Sequence, residues 1–364
     1  MKEINAIIDA YETRKDQGER TALATVVRVD GSSYRRTGAR MFVSENGQWV
    51  GGISGGCLEG DALRRAKMAI MQDKPSVVTY DTTEDDAHQI GVGLGCNGII
   101  DILITPITED DADHPIHELE RAREERKPQV LVTVVESDHD DLPQGKVVLY
   151  KDDTSFAKHL HGDILDAVHQ AFAKKKSKLT ELTIDSQAVT CFVEFLPPPI
   201  HLIVQGGNYD IYPLLRQAHE LGWRLTVVAN PKKLDRVAFD LATDIIPSKS
   251  EELPFIDEYT ATILMAHDYA TDLRHLKALL ETDIPYIGLL GPRKRTLKMY
   301  ADLNKADRTL TVADEKRIHS PVGLDIGAAS PEEIALSILA EIVTFFSGRA
   351  GGHLKHREGP IHER

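Results

Sequence analysis

At 364 residues, 41% of them apolar and 27% charged, the chain is long enough for two domains with separate cores and has the composition of a soluble globular protein. A formal net charge of -14 opposes non-specific binding to nucleic acid, so no nucleic-acid partner is expected. Three cysteines, Cys57, Cys96 and Cys191, cannot all pair and follow neither a CxxC nor a zinc spacing; free thiols in a cytoplasmic protein are the expectation.

The first twenty residues, MKEINAIIDAYETRKDQGER, read as a short amphipathic helix with charges throughout, unlike a secretory signal. Nowhere do apolar residues run for the ~18 positions that a membrane span needs, so no membrane partner is expected. Ala22 to Val29 and Arg40 to Val43 read as strands, and the Asn46-Gly47 hairpin signal leads to a third at Trp49 and Val50. Leu58, Ala62, Ala66 and Ile70 recur at i+4 spacing on a helix that ends before Pro75. Strands follow at Ser76 to Tyr80 and Ile99 to Thr105, separated by the glycine-rich TTEDDAHQIGVGLGCNG. The rest of this half alternates helix and strand and closes with AVTCFVEFLPPP.

Pro197, Pro198 and Pro199 form a stiff spacer at a change of pattern, which sets the domain boundary: residues 1–196 form a mixed α+β domain and residues 200–346 a second one. In the second, strand and helix alternate through IHLIVQGG, YPLLRQAHELG, RLTVVAN, TATILMA, ATDLRHLKALLET, YIGLLG and RKRTLKMYADL. That order predicts a parallel sheet of Rossmann type, making the whole chain α/β. The last helix has a clear start, with Ser330 as N-cap, Pro331 at N1 and Glu333 at N3. Residues 347–364 have little to bury and read as a mobile tail.

A dinucleotide fingerprint needs glycine at the second and third positions of its turn. Here Gly206-Gly207-Asn208-Tyr209-Asp210-Ile211 offers Asn208 and Ile211, and the second strand ends on Asn230 where an acidic residue would take the ribose. NAD(P) therefore stands as a weakly supported ligand. His267 and Asp268 end a strand at the carboxyl edge of the sheet, and GLLGPRKRTLK places Arg293, Lys294 and Arg295 at a helix start, where a phosphate or plain solvent would suit them.

The richest local signal is VGGISGGCLEG. Glycines such as Gly55 and Gly56 ahead of a helix free the backbone to form an anion-binding nest, and Cys57, placed in the first helical turn, would have its thiolate favoured by the helix dipole. The loop around Cys96 repeats the theme with Gly91, Gly93, Gly95 and Gly98. Tight turns around two small core residues are the plain alternative. Arg35, Arg36 and Arg40 add positive charge to the same rim or form an exposed basic hairpin. Cys191 falls in an alternating strand and reads as core.

At these residues the chain resembles the XdhC/CoxI accessory proteins of molybdenum hydroxylases such as xanthine dehydrogenase. The matching blocks are ATVVRVDGSSYRRTGARMFV, GGISGGCLEGD, GLGCNG, the His267-Asp268 strand end, YIGLLGPRKR and SPVGLDIGAASPEEIALSILAEI. The resemblance implies an N-terminal domain of that type, a C-terminal Rossmann domain, and a maturation factor that binds molybdenum cofactor (molybdopterin), helps it acquire its sulfido ligand and delivers it to the apo-hydroxylase. It departs at Gly206-Gly207-Asn208-Tyr209, where the family shows a G-A-G-H-like turn. Joined to the residue reading, it makes Cys57 and Cys96 candidates for metal contact or sulfur handling, Arg40 and Arg293 candidate phosphate partners, and Gly55, Gly56, Gly206, Gly207 and His267 candidate cofactor contacts. An apo molybdenum hydroxylase is the expected partner, with a cysteine desulfurase and a homo-oligomer as further expectations. The rival functions are an NAD(P)-dependent oxidoreductase and a pure interaction scaffold. Membership of xanthine dehydrogenase itself is opposed by three cysteines where one iron-sulfur cluster takes four.

Overall fold

The computed structural model describes residues 1–83, 98–108, 114–250, 254–358 and 361. It divides into two compact units, Met1–Pro198 and Pro199–Glu358.

In the first unit, β1 (Thr21–Gly31), β2 (Arg40–Ser44), β3 (Trp49–Gly51), β4 (Ser76–Asp81) and β5 (Gly98–Ile107) form an antiparallel sheet in the order β3-β2-β1-β5-β4. A second antiparallel sheet follows the order β7-β6-β9-β8, from β6 (Gln129–Ser137), β7 (Val147–Leu149), β8 (Lys178–Ile184) and β9 (Gln187–Leu196). Helix α1 (Lys2–Lys15) and α3 (Pro115–Glu124) share a core with Leu23, Phe42, Leu131 and Leu196 of both sheets. Val27, Leu103, Val135 and Phe192 join the sheets directly. On the far side of the first sheet lies α2 (Glu59–Gln72), which packs Ala62, Ala66, Ala69 and Ile70 onto Ala22, Ala24, Val26 and Met41. On the far side of the second lie α4 (Asp153–His159) and α5 (Leu165–Lys174). β1 is thus covered on both faces, and its first seven residues are all buried.

The second unit has a parallel sheet of β10 (His201–Gln205), β11 (Arg224–Ala229), β12 (Asp244–Pro247), β13 (Thr260–Leu264), β14 (Tyr286–Leu289) and β15 (Ile318–His319). Its order β12-β11-β10-β13-β14-β15 is the doubly wound 3-2-1-4-5-6 of a dinucleotide-type Rossmann domain. Helices α6 (Ile211–Glu220), α7 (Arg236–Leu241) and α11 (Pro331–Ser347) share one core cluster with β10 and β11. Helices α8 (Tyr269–Leu280) and α9 (Arg293–Lys305) share another with β14, and α10 (Val312–Arg317) precedes β15. Ser330 caps α11 with Glu333 in a reciprocal capping box, as the sequence predicts. Strand order reverses between β10 and β13, so the residues just after them, Gly206 onward and Met265 onward, flank the crevice where ligands of such folds bind.

Candidate functional site

The glycine-cysteine loop is built on Ser54. Its hydroxyl accepts hydrogen bonds from the Gly56 amide at 3.2 Å and the Leu58 amide at 3.1 Å, so one side chain pins the loop at two points. Glu59, the first residue of α2, reaches back: its carboxylate accepts from the Ile53 amide at 3.2 Å and the Ser54 amide at 2.8 Å, and also binds the Ser54 hydroxyl. Burial, the largest single influence, pushes the Glu59 pKa up, but the bonds from Ser54 and the neighbouring amides outweigh it and hold the group below its ordinary value. A charged carboxylate at a helix start also suits the helix dipole.

The two glycines ahead of the thiol serve different needs. Gly56 has φ +112°, a backbone state that side chains rarely adopt, and open space around it. Gly55 is short of room instead: a Cβ there would lie 3.3 Å from the Tyr34 ring. Cys57 is exposed, with Sγ 3.4 Å from the Ser54 hydroxyl. It stands outside the helix, since Leu58 is the N-cap and α2 begins at Glu59. The expected placement in the first helical turn is therefore one to two residues off, and the dipole acts on the thiol less directly. The sequence alone does not mark Ser54 and Glu59; the signal for them is their five-residue separation around the glycines.

Cys96, Gly91, Gly93 and Gly95 lie outside the described residues. Gly98, where the chain rejoins the sheet, is fixed at the base of that loop by Thr82: its amide donates to the Thr82 hydroxyl at 2.9 Å, and its carbonyl accepts from the Thr82 amide at 2.9 Å. A Cβ on Gly98 would come 2.5 Å from the Ser32 carbonyl, so this strand start and the Ser32–Tyr34 hairpin meet at one end of the sheet. Arg40 does not reach that rim as a phosphate partner. It is 3% exposed, bound through both terminal nitrogens to Glu194 of β9, and donates to the Gly38 carbonyl at 2.8 Å. The pattern of a basic hairpin hid this because the partner is 154 residues away. Cys191 is core as expected, and burial pushes its thiol up to about 12. Among the described residues no group of three or more His, Cys, Asp or Glu side chains could hold a metal ion.

In the second unit Gly206 is required by close approach, since a Cβ would sit 2.4 Å from the Met265 carbonyl, and Gly207 packs on Ala229 and Leu234. Asn208 extends its amide toward the Ala266 carbonyl at 3.4 Å, filling part of the turn that a pyrophosphate needs bare. His267 adopts φ +57° and brings Nε2 to 2.6 Å from Asp210 Oδ2, linking the two sides of the switch point. Asp210 sits at the start of α6, so a carboxylate occupies the end of the helix that would otherwise attract a phosphate. Asn230 caps its own turn by accepting from the Lys232 amide at 3.1 Å. Arg293 is exposed at the first position of α9 with no ion-pair partner among the described residues, whereas Arg295 is committed to Asp272 at 2.7 Å.

These features define a two-unit α/β protein with a thiol-bearing glycine loop in one unit and a Rossmann sheet with a remodelled phosphate turn in the other. Residues 15–81 match the model of the XdhC and CoxI family, and residues 202–342 that of the XdhC Rossmann domain. The chain is 30% identical over 352 residues to a protein of Bacillus subtilis (strain 168) whose name makes it a probable subunit of xanthine dehydrogenase, covering 94% of this chain and 97% of that one. It is 24% identical to "Molybdenum cofactor insertion chaperone PaoD" of Escherichia coli (strain K12), covering 90% and 84%. A crystal structure described as that of a xanthine dehydrogenase from Bacillus halodurans superposes with a TM-score of 0.71 at 26% identity, covering 94% and 96%. The chain belongs to the XdhC and CoxI family. No helix among the described residues is long and apolar enough to cross a membrane.

Proposed function

We propose that the protein takes molybdenum cofactor as cargo, assists its sulfuration and delivers it to an apo molybdenum hydroxylase of the xanthine dehydrogenase type. The observation that carries this reading is the exposed Cys57 thiol, presented on a loop locked from behind by Ser54 and Glu59. A thiolate is a soft donor suited to a thiophilic metal. A metal already chelated by an organic ligand needs only one further donor, which one exposed thiol can supply. The printed name of the Escherichia coli relative supports the same reading.

The sheet order favours a second reading, an NAD(P)-dependent oxidoreductase. Asn208 in the turn, the Asp210 carboxylate at the helix start and Asn230 at the ribose position all oppose it. Titration of the purified protein with NAD(H) and with molybdenum cofactor separates the two. Saturable cofactor binding without micromolar NAD(H) binding is expected, and the reverse would overturn the proposal. Cys57→Ser should melt as the wild type does, because the side chain is exposed, yet retain less cofactor and activate apo-hydroxylase less. Wild-type activation by the folded variant would remove the thiol from the mechanism.

A further inference from the structure

The hairpin between β1 and β2 carries an aromatic ring that the fold leaves uncovered. Tyr34 is 72% exposed. One face of the ring is occupied: a Cβ on Gly55 would meet Cγ, Cδ1 and Cδ2 at 3.3, 3.5 and 3.6 Å, so the ring lies along the bare backbone of the loop that holds Cys57. The neighbouring Gly56 has nothing within 4 Å of its would-be Cβ, leaving a side-chain-free strip between ring and thiol.

Tyr34 also lines a shallow depression of about 350 Å³, together with Glu3, Arg35, Arg36, Thr37, Gly38 and Ala39. Arg35 is paired with Glu3 at its edge, which orients the guanidinium while offsetting part of its charge. Beside Tyr34, the Ser33 hydroxyl is shielded from solvent with no hydrogen-bond partner among the described residues. A platform, an open strip ending in a thiol and an arginine-edged hollow thus adjoin one another on a single unit.

We propose that Tyr34 is a stacking platform for a flat heteroaromatic ring bearing a phosphate, with the hollow at Arg35 and Arg36 receiving the anionic end. Stacking on an exposed ring selects planar ligands through their π-faces and tolerates varied ring edges. Guanidinium groups supply the complementary charge for phosphate. This inference rests on the cofactor reading above, since molybdenum cofactor is a phosphate-bearing pterin, but it assigns a residue and a mode of recognition separate from the thiol.

The test uses the intact chain and a metal-free fluorescent probe, 6-(phosphooxymethyl)pterin, with inorganic phosphate as competitor. Wild type and Tyr34→Phe should bind the probe alike, read by its fluorescence anisotropy, because both keep the ring. Tyr34→Ala should bind at least about tenfold more weakly. Tyr34 is so exposed that the alanine variant keeps the fold, and a melting curve checks this. Equal probe affinity in wild type and folded Tyr34→Ala, or no probe binding by wild type, overturns the inference. Titration of Cys57→Ser with molybdenum cofactor keeps the two ideas apart: unchanged cofactor affinity there, alongside Tyr34-dependent probe binding, would sink the thiol reading while the platform stands.

Discussion

Arg40 and Glu194 face each other from β2 and β9, 3% and 4% exposed, and their two-pronged ion pair crosses between the sheets of the first unit. Gly38 makes room for it: a Cβ there would lie 2.4 Å from Glu194 Oε1. A buried pair of this kind adds little net stability, but removing one member strands the other charge away from water. Glu194→Ala should therefore cost about 3–5 kcal/mol, whereas Arg40→Met combined with Glu194→Leu should cost far less than the single change. Urea unfolding of the three proteins checks this, and a mild single variant with a severe double one would contradict the argument. The same pair marks how far the sequence could be read at residue scale. The thiol, the two glycines and the basic hairpin were legible as a cluster. Which arginine faced inward was not, because that depends on a β9 residue that no local pattern brings near.

Glu341 of α11 ties that helix to the sheet of the second unit. Its carboxylate accepts from the Tyr286 hydroxyl at 2.7 Å and the Gly323 amide at 2.7 Å, and lies 3.1 Å from His319 Nδ1. Burial, the largest influence, pushes its pKa up, but the bonds from His319, Tyr286 and Gly323 prevail and hold it below the usual 4.5. A carboxylate whose folded pKa is depressed stabilises fully above its unfolded pKa, and that contribution drains away as pH falls through the folded one. Below about pH 5 the second unit should thus lose stability, and Glu341→Gln should flatten that acid dependence while lowering stability at neutral pH. Chemical unfolding followed from pH 7 downward reads both effects; an unchanged acid slope in the variant would assign the loss to other carboxylates. Among the elements themselves, the capped α11 was readable because a capping box is local chemistry. β12 and β15 were not, being short strands of four and two residues at the sheet edges, with too few positions to set up a pattern. β1 was recognised as a strand although its seven leading buried residues depart from alternation, a consequence of cover on both faces.

Among the described residues, each hydrophobic cluster draws its members from one unit. Those around α1 to α5 use residues up to Leu196, and those around α6 to α11 begin at Ile200. Both units lie within the size at which a single chain closes a core of its own. The division between Pro198 and Pro199 falls within the run of prolines at 197–199. Residues 1–198 and 199–358, expressed separately, should each unfold cooperatively, and Glu341→Gln should alter only the second. Tyr34, Arg35, Arg36 and Cys57 all belong to the first, so that fragment should keep the Tyr34-dependent binding of the pterin probe. Circular dichroism melts and the probe titration, repeated on the fragments, test the point. A first fragment that folds but no longer binds would mean that residues of the Rossmann unit, with His267 and Arg293 the first to substitute, are needed for the ligand.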